Sequence, residues 1–391
     1  MTERRKRDTI KVRKCTGTYK KNRCGLDGAV RRNPVKKSQR RGNPAANRKG
    51  NGMPVTVKQI AQLAGVSRGT VDRALNGRGN VRPEVEKKIL AIAQEMGYTP
   101  NRAGKALAYQ RKNLSFGIVA NADGNEFFDE VLRGAQTAVD EYADFGITLK
   151  IEGGRRYDVD QQLRQLSAMQ AEGVSGIAVC PINVPEIEKK IDQLIDSGIQ
   201  VLTVNSDIEN THRFAYVGCN YYQSGVTAGG MLRLMRPEGV RAGIVTGSVR
   251  MLGHNRRMKG FSDVLKTMED SCVVDICESL DEREVAYQAT KNMLSAHPEI
   301  NTLYFAAAGS VGGMQAAVDL GKKDLTIISS DDTDEIRKLM EERLIQATIC
   351  QEPYRQGYRS MQLLFDAVVN NTHPAEEFCY MDNIIRIREN L

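Results

Sequence analysis

The 391-residue chain has no tryptophan and only four histidines, His212, His254, His297 and His373, scattered so that they form no obvious metal set. None of its eight cysteines stands in a CxxC pair. Cys15, Cys24, Cys180, Cys219, Cys272, Cys277, Cys350 and Cys379 therefore read as reduced, mostly buried thiols, not as a disulfide frame or a zinc site. No apolar run approaches the ~20 residues that span a bilayer. The basic N-terminus lacks the apolar h-region of a secretory signal. Also missing are a GxxxxGK(S/T) phosphate loop, HExxH, a GxSxG elbow and a strand-linked GxGxxG. Gly309, Gly312 and Gly313 follow a strand, but without fingerprint spacing they fit a close helix–sheet contact better than a phosphate cradle. These absences predict a cytoplasmic protein that is not an enzyme, needs no cofactor or metal, and has no membrane partner.

What is present is charge, unevenly placed. The formal charge is +8, yet residues 1–52 hold 18 Lys/Arg against 3 acids, so the rest sums to −7. Residues 55–112 carry 11 Lys/Arg against 4 acids, which leaves the remaining body clearly acidic. A cationic head on an anionic body suits a protein that docks one end on phosphate. The length supports two or three domains, and a 41% hydrophobic fraction is ordinary for soluble chains.

Residues 56–76 carry the sharpest local signal. Thr56 and Gln59 form a capping box, after which Ile60, Leu63 and Ala64 share one helix face. Gly65 supplies a left-handed stop and Ser67 caps the next helix. Val66, Val71, Ala74 and Leu75 point back at the first helix, leaving Arg68, Gly69, Asp72 and Arg73 outward. This is a helix-turn-helix, whose second helix enters the DNA major groove. A loop at 76–80 precedes a third helix with Pro83 at its first turn, Val85, Ile89, Ile92, Ala93 and Met96 at helical spacing, and Gly97 and Pro100 ending it. The next segment, Asn101–Tyr109, reads either as a plain linker or as a hinge helix that orders on DNA and drives Leu107 into the minor groove as an apolar wedge.

The first 52 residues are too polar to fold alone. They read as a basic arm adding non-specific DNA affinity, or as sequence upstream of a true start at Met53. The absence of any pattern beyond charge favours the second.

Residues 55–110 resemble the headpiece and hinge of the LacI/GalR family of bacterial repressors. The matching runs are Val-Thr-Val-Lys-Gln-Ile-Ala, Ala-Gly-Val-Ser, Thr-Val-x-Arg-Ala-Leu-Asn, Gly-Tyr-x-Pro-Asn and the Leu-Ala hinge. Asp72 departs from the Ser that family members commonly place there, so operator preference does not transfer directly. The resemblance implies DNA contacts from Thr56, Ser67, Arg68, Gly69, Thr70, Asp72, Arg73, Asn76, Asn101, Arg102 and Leu107.

From Leu114 to Gln351, apolar β-rich runs alternate with amphipathic helices, as in α/β architecture with two parallel sheets. Ligands of such sheets bind beyond the carboxyl ends of strands. There stand Asn125-Glu126-Phe127-Phe128, Asn205-Ser206-Asp207, Asp331-Asp332 and Gln351, with Arg256-Arg257 near a helix start. Residues 114–391 are similar to the type I periplasmic sugar-binding proteins, whose fold also forms the regulatory domain of LacI-family repressors. That similarity implies effector contacts from Asn125, Phe127, Phe128, Asn205, Arg257, Ala308, Asp331 and Gln351. Asn205 and Ala308 stand where sugar binders usually have Asp and Asn.

The expected architecture is a basic extension over 1–52, an all-α headpiece over 53–100, a hinge over 101–112 and a two-lobed domain over 113–391. Lobe one is expected to hold 113–217 and 353–382, and lobe two 218–352 and 383–391. The expected function is a homodimeric DNA-binding transcription regulator, a repressor by resemblance. It would read a pseudo-palindromic double-stranded operator under control of a sugar, polyol or sugar derivative. A non-sugar effector, a solute-binding protein and an architectural DNA binder are the alternatives.

Overall fold

The computed structural model describes residues 55–75, 79–98, 102–120, 124–154 and 157–391. The expectations for Asn76, Asn101 and segment 1–52 fall outside these residues. The described residues divide into two compact units, a headpiece before residue 100 and a body from residue 102 onward.

In the headpiece, α1 (Val57–Ala64) opens on the expected capping box: Thr56 N donates to Gln59 Oε1 at 2.8 Å, and Thr56 Oγ1 accepts from Gln59 N at 3.4 Å. Gly65 ends it with φ 71°, and Lys88 Nζ donates to the Ala64 carbonyl. Ser67 Oγ accepts from Thr70 N at the start of α2 (Arg68–Leu75). Pro83 begins α3 (Pro83–Glu95), whose preset φ suits a first turn. Ile60, Ala61, Ala64, Val71, Ala74, Ile89 and Ala93 form the core. One expected core position differs: Leu63 is 60% exposed, and Ala61 is buried in its place. The buried stripe of α1 is rotated by a small step, because Val71 and Ile89 converge on Ile60.

The body begins with α4 (Arg102–Gln110), a formed helix anchored on lobe one. Lys105 Nζ donates to Asn370 Oδ1, Tyr109 OH to the Val369 carbonyl and Gln110 Nε2 to the Asp144 carbonyl. Ala106 is buried against the same core. Lobe one then holds β1 (Ser115–Ala120), α5 (Glu126–Asp140), β2 (Thr148–Gly153), α6 (Val159–Ala171), β3 (Gly176–Val179), α7 (Pro185–Asp196), β4 (Gln200–Val204) and β5 (Ala215–Cys219). Lobe two holds α8 (Tyr221–Met235), β6 (Arg241–Thr246), α9 (Leu252–Leu265), β7 (Cys272–Glu278), α10 (Arg283–Ala296), β8 (Thr302–Phe305), α11 (Ser310–Asp319), β9 (Thr326–Ser330), α12 (Asp334–Glu341) and β10 (Ala347–Cys350). The chain returns to lobe one through α13 (Pro353–Phe365) and β11 (Phe378–Met381), then ends in lobe two with β12 (Ile384–Arg386).

Each lobe is one six-stranded sheet, ordered β11-β5-β4-β3-β1-β2 and β12-β10-β9-β8-β6-β7. Every pairing is parallel except β10 with β12. The main chain therefore crosses between lobes three times, after β5, after β10 and after β11. Buried β strands such as Phe116–Val119 and Ile177–Val179 read as continuous apolar runs because helices cover both faces.

Three helix pairs meet backbone to backbone through glycine, and two of them place cleft residues. A Cβ on Gly357 of α13 would lie 1.8 Å from the Val131 carbonyl of α5, the helix that begins beside Asn125. In lobe two, a Cβ on Gly225 of α8 would lie 1.9 Å from the Arg257 carbonyl of α9. Of the glycines after β8, Gly313 makes the expected helix–sheet contact, a Cβ there meeting the Phe305 ring at 2.3 Å, whereas Gly312 forms the third helix pair, a Cβ there lying 2.0 Å from the Arg283 carbonyl of α10.

Candidate functional site

Two faces gather the residues singled out in the sequence. On the headpiece, Arg68, Gly69 and Arg73 are exposed along α2, and Thr70 and Asp72 are half-buried. Ser67 Oγ lies 2.9 Å from Thr70 Oγ1, and Arg73 Nη2 donates to that same hydroxyl at 3.4 Å. The result is an ordered polar row, Ser67–Thr70–Arg73, at i, i+3 spacing on one side of the helix. Burial first, and the charge of Asp72 second, hold the Tyr98 hydroxyl above its usual range. Thr56 is engaged in its capping box. Arg102, expected at DNA, rests on lobe one with its side chain 63% exposed. Its guanidinium pairs with Asp144, donates to the Glu141 carbonyl at 2.8 Å and lies over the Phe145 ring. Leu107, on the same helix, is 61% exposed.

All eight residues expected at the effector line one chamber of about 40 Å³ between the lobes of the body. Clefts of about 670 and 190 Å³ adjoin it, both sharing Phe127 and Asp331 with the chamber. Lobe one supplies Asn125, Phe127, Phe128 and Asn205. Asn125 caps α5, its Oδ1 accepting from Phe127 N at 3.1 Å, which leaves its amide N–H groups as donors. The Phe127 and Phe128 rings meet edge to face with centroids 5.3 Å apart.

Lobe two supplies Arg257, Ala308 and Asp331, and Gln351 sits at a crossing. Gln351 ties the two sides together: its Nε2 donates to Asp331 Oδ1 at 2.6 Å, while its Oε1 accepts from Tyr221 OH at 2.9 Å and Asn205 Nδ2 at 3.5 Å. Asn205 and Asp331 both have left-handed backbones, φ 63° and 74°, which turn these side chains out of the strand direction at the strand ends. Burial raises the Asp331 carboxyl above its ordinary range, opposed by Arg257 and the Gln351 hydrogen bond. Arg257 is 1% exposed, donates through Nη1 to the Ala306 carbonyl at 2.6 Å and lies 4.6 Å from the Tyr221 ring centroid. Its Nε and Nη2 are buried and unpartnered among the described residues.

The chamber also contains Tyr157, Cys180, Tyr221, Met251, His254, Asp281 and Ala307, which sequence reasoning did not select. Asp281 follows the end of β7, so the strand-end rule that found Asp331 applies to it as well. Nothing in the sequence marks Tyr157 or Tyr221. Burial, then Arg257, lowers His254 to about 3, and its Nδ1 accepts from Ser248 N, so the ring is neutral at physiological pH. Burial pushes the Cys180 and Cys219 thiols up to about 12. Both are expected to resist a thiol reagent at neutral pH in the folded protein and to react once it is denatured. Rapid labelling of Cys180, which lines the chamber, located by mass spectrometry, would contradict its closure.

Residues 116–372 match the family described as periplasmic binding protein domain, and residues 56–101 match the bacterial regulatory proteins of the lacI family. Catabolite control protein A of Priestia megaterium is 26% identical over 321 residues, covering 80% of this chain and 92% of that protein. A ribose operon repressor of Haemophilus influenzae is 24% identical over 326 residues, covering 81% and 92%. Among solved structures, a glucose-galactose binding protein from Geobacillus stearothermophilus superposes with TM-score 0.67 and 26% identity over 71% of this chain and 98% of its own. With its capped helix-turn-helix and its two-lobed body, the chain belongs to the lacI family of bacterial regulatory proteins and is a DNA-binding transcription regulator.

Proposed function

We propose that this protein is a homodimeric, cytoplasmic repressor whose operator affinity is set by a small sugar-like molecule held between its lobes. The observation that carries the reading is the convergence of Asn125, Phe127, Phe128, Asn205, Arg257, Ala308, Asp331 and Gln351 on one chamber, in a chain that also bears a helix-turn-helix. Aromatic edges on one side and charge-assisted donors and acceptors on the other suit a polyhydroxylated ring. The names of the relatives, a ribose operon repressor among them, and of the glucose-galactose binding protein support a sugar class. The present chamber holds only a few waters' worth of space, so a sugar requires the lobes to part.

One headpiece covers one half-site, so a pseudo-palindromic operator calls for two copies. A ligand that favours one lobe arrangement shifts the population of that arrangement. Because α4 is anchored on lobe one through Lys105 and Tyr109, lobe movement carries it along. Calorimetry against a sugar panel, followed by operator titration with each binder, tests the reading. A panel that binds nothing, or binds without changing operator affinity, removes it.

Leu107 offers a second test. It presents an apolar side chain on a positive helix, as a minor-groove wedge requires. Leu107→Ala is expected to weaken a selected operator by about tenfold or more and random DNA by far less, because only the docked dimer gains from unstacking a base step. Equal losses on both DNAs would make α4 a simple tether.

A further inference from the structure

The loop between β7 and α10 carries a group that the eight effector residues do not include. Leu280 and Asp281 both have left-handed backbones, φ 51° and 56°. Side-chain-bearing residues hold that conformation only where the surroundings enforce it. Here Leu280 N donates to the Gly247 carbonyl at 2.9 Å, Asp281 N to Ser279 Oγ at 3.2 Å and Ser279 Oγ to the Ala308 carbonyl at 2.9 Å. The turn aims the Asp281 carboxyl into the chamber.

The two oxygens of that carboxyl differ. Oδ2 accepts from the hydroxyl of Tyr157, which belongs to lobe one, so the bond spans the cleft. Oδ1 is buried and has no hydrogen-bond partner of ordinary geometry among the described residues; burial raises the carboxyl, opposed by the Tyr157 hydroxyl and by the approach of the Ala308 N–H. A buried carboxylate oxygen without a donor is costly and calls for an explanation. Gly247, just beyond β6, keeps the point open. A Cβ there would lie 2.5 Å from Asp281 Oδ1, 2.6 Å from His254 Cε1 and 2.6 Å from Tyr157 OH. Beside it, Ala308 offers the chamber a methyl where an amide could have bonded a hydroxyl.

We propose that Asp281 reads the effector and latches the lobes: Oδ1 accepts a hydrogen bond from a ligand hydroxyl or ammonium while Oδ2 holds Tyr157 across the cleft. The inference rests on the reading of the cleft as the effector site and narrows its ligand class. Among the described residues the chamber sets two carboxyls, Asp281 and Asp331, against one guanidinium, Arg257, with His254 neutral. A sugar acid or phosphosugar would add an anion beside two carboxyl groups that burial already raises, in a medium of low dielectric. A neutral or amine-bearing polyol supplies only donors and ring faces.

The experiment titrates the full chain by calorimetry with glucose, galactose, ribose, arabinose, inositol, glucosamine and galactosamine, and with glucuronate, galacturonate, gluconate and glucose 6-phosphate. Each binder is repeated on Asp281→Ala, Tyr157→Phe and Arg257→Ala, with Asp281→Asn as the size-retaining variant should the alanine fail to fold. The expected binders are neutral or amine-bearing. Their affinity falls by about tenfold or more in the Asp281 variants, and their dissociation speeds up in Tyr157→Phe. A binder drawn from the acids or the phosphosugar overturns the inference. So does one that Arg257→Ala abolishes and the Asp281 variants leave unchanged, an outcome in which the cleft reading stands. A panel without binders, or binding indifferent to Arg257 and Asp281 alike, removes the cleft reading and this inference with it.

Discussion

Arg257→Ala is expected to lower the affinity of the cleft for its effector by about 100-fold or more. The guanidinium is always charged, it is 1% exposed, and its Nη1 is already spent on the Ala306 carbonyl. Nε and Nη2, the two donors on one edge of the fork, remain buried and unpartnered among the described residues. The same edge takes two acceptor oxygens elsewhere in the molecule. Arg213 Nε and Nη2 hold the Asp207 carboxylate at 2.7 Å each, and Arg337 holds Asp332 at 2.8 and 3.1 Å. In the chamber that edge is open to two neighbouring acceptor oxygens of a ligand. Truncating a buried, hydrogen-bonded charge typically costs about 2–5 kcal/mol, which spans roughly 30- to several-thousand-fold in affinity. Arg257→Lys should recover only part of the loss, since an ammonium cannot present two parallel donors. Calorimetry on variants with unchanged circular dichroism checks this. A folded Arg257→Ala protein that binds normally would move the effector site elsewhere.

Arg73→Ala is expected to cost about 1–3 kcal/mol on the specific operator, roughly 5- to 150-fold, and much less on random DNA. Arg73 is exposed on α2, and Thr70 steadies its guanidinium at 3.4 Å while Ser67 in turn steadies Thr70. Such a row presents the side chain to base edges with part of its rotamer entropy already lost. Thr70→Ala, which removes the support and leaves the arginine, should give a smaller loss in the same direction. Operator selection from a random library with each variant reads both effects. An Arg73→Ala protein that selects the same sequence with the same affinity would place base recognition on other residues.

The headpiece was legible almost residue by residue, because its determinants are local. A capping hydroxyl, a left-handed glycine and a proline in the first turn act within four residues of themselves, and Thr56, Gly65, Ser67 and Pro83 behave as their chemistry requires. Leu63 misled because spacing alone does not fix the angle at which a helix meets its neighbours. The alternation of strands and helices in the body was equally plain up to Gln351. Beyond it, α13, β11 and β12 were not picked out as elements. The buried face of α13 includes Gln356, Gly357 and Ser360 beside Met361 and Leu364, so polar and small residues mask its period, and β11 and β12 are only four and three residues long.

The effector set emerged from strand ends and a family resemblance, yet the chamber's wiring did not. The Gln351 bridge to Asp331, Tyr221 and Asn205 joins groups up to 146 positions apart in the chain. The meeting of Tyr157 with Asp281 depends on Gly247 having no side chain and on two left-handed residues in a loop. Local periodicity, capping and charge placement were enough to assign the chain its helix-turn-helix, its α/β body and its regulatory class. Which buried donors stay unpaired, which carboxyl crosses the cleft and that Arg102 pairs with Asp144 followed only from packing. Those outcomes are settled by distances between residues remote in sequence, and no property of a single segment encodes them.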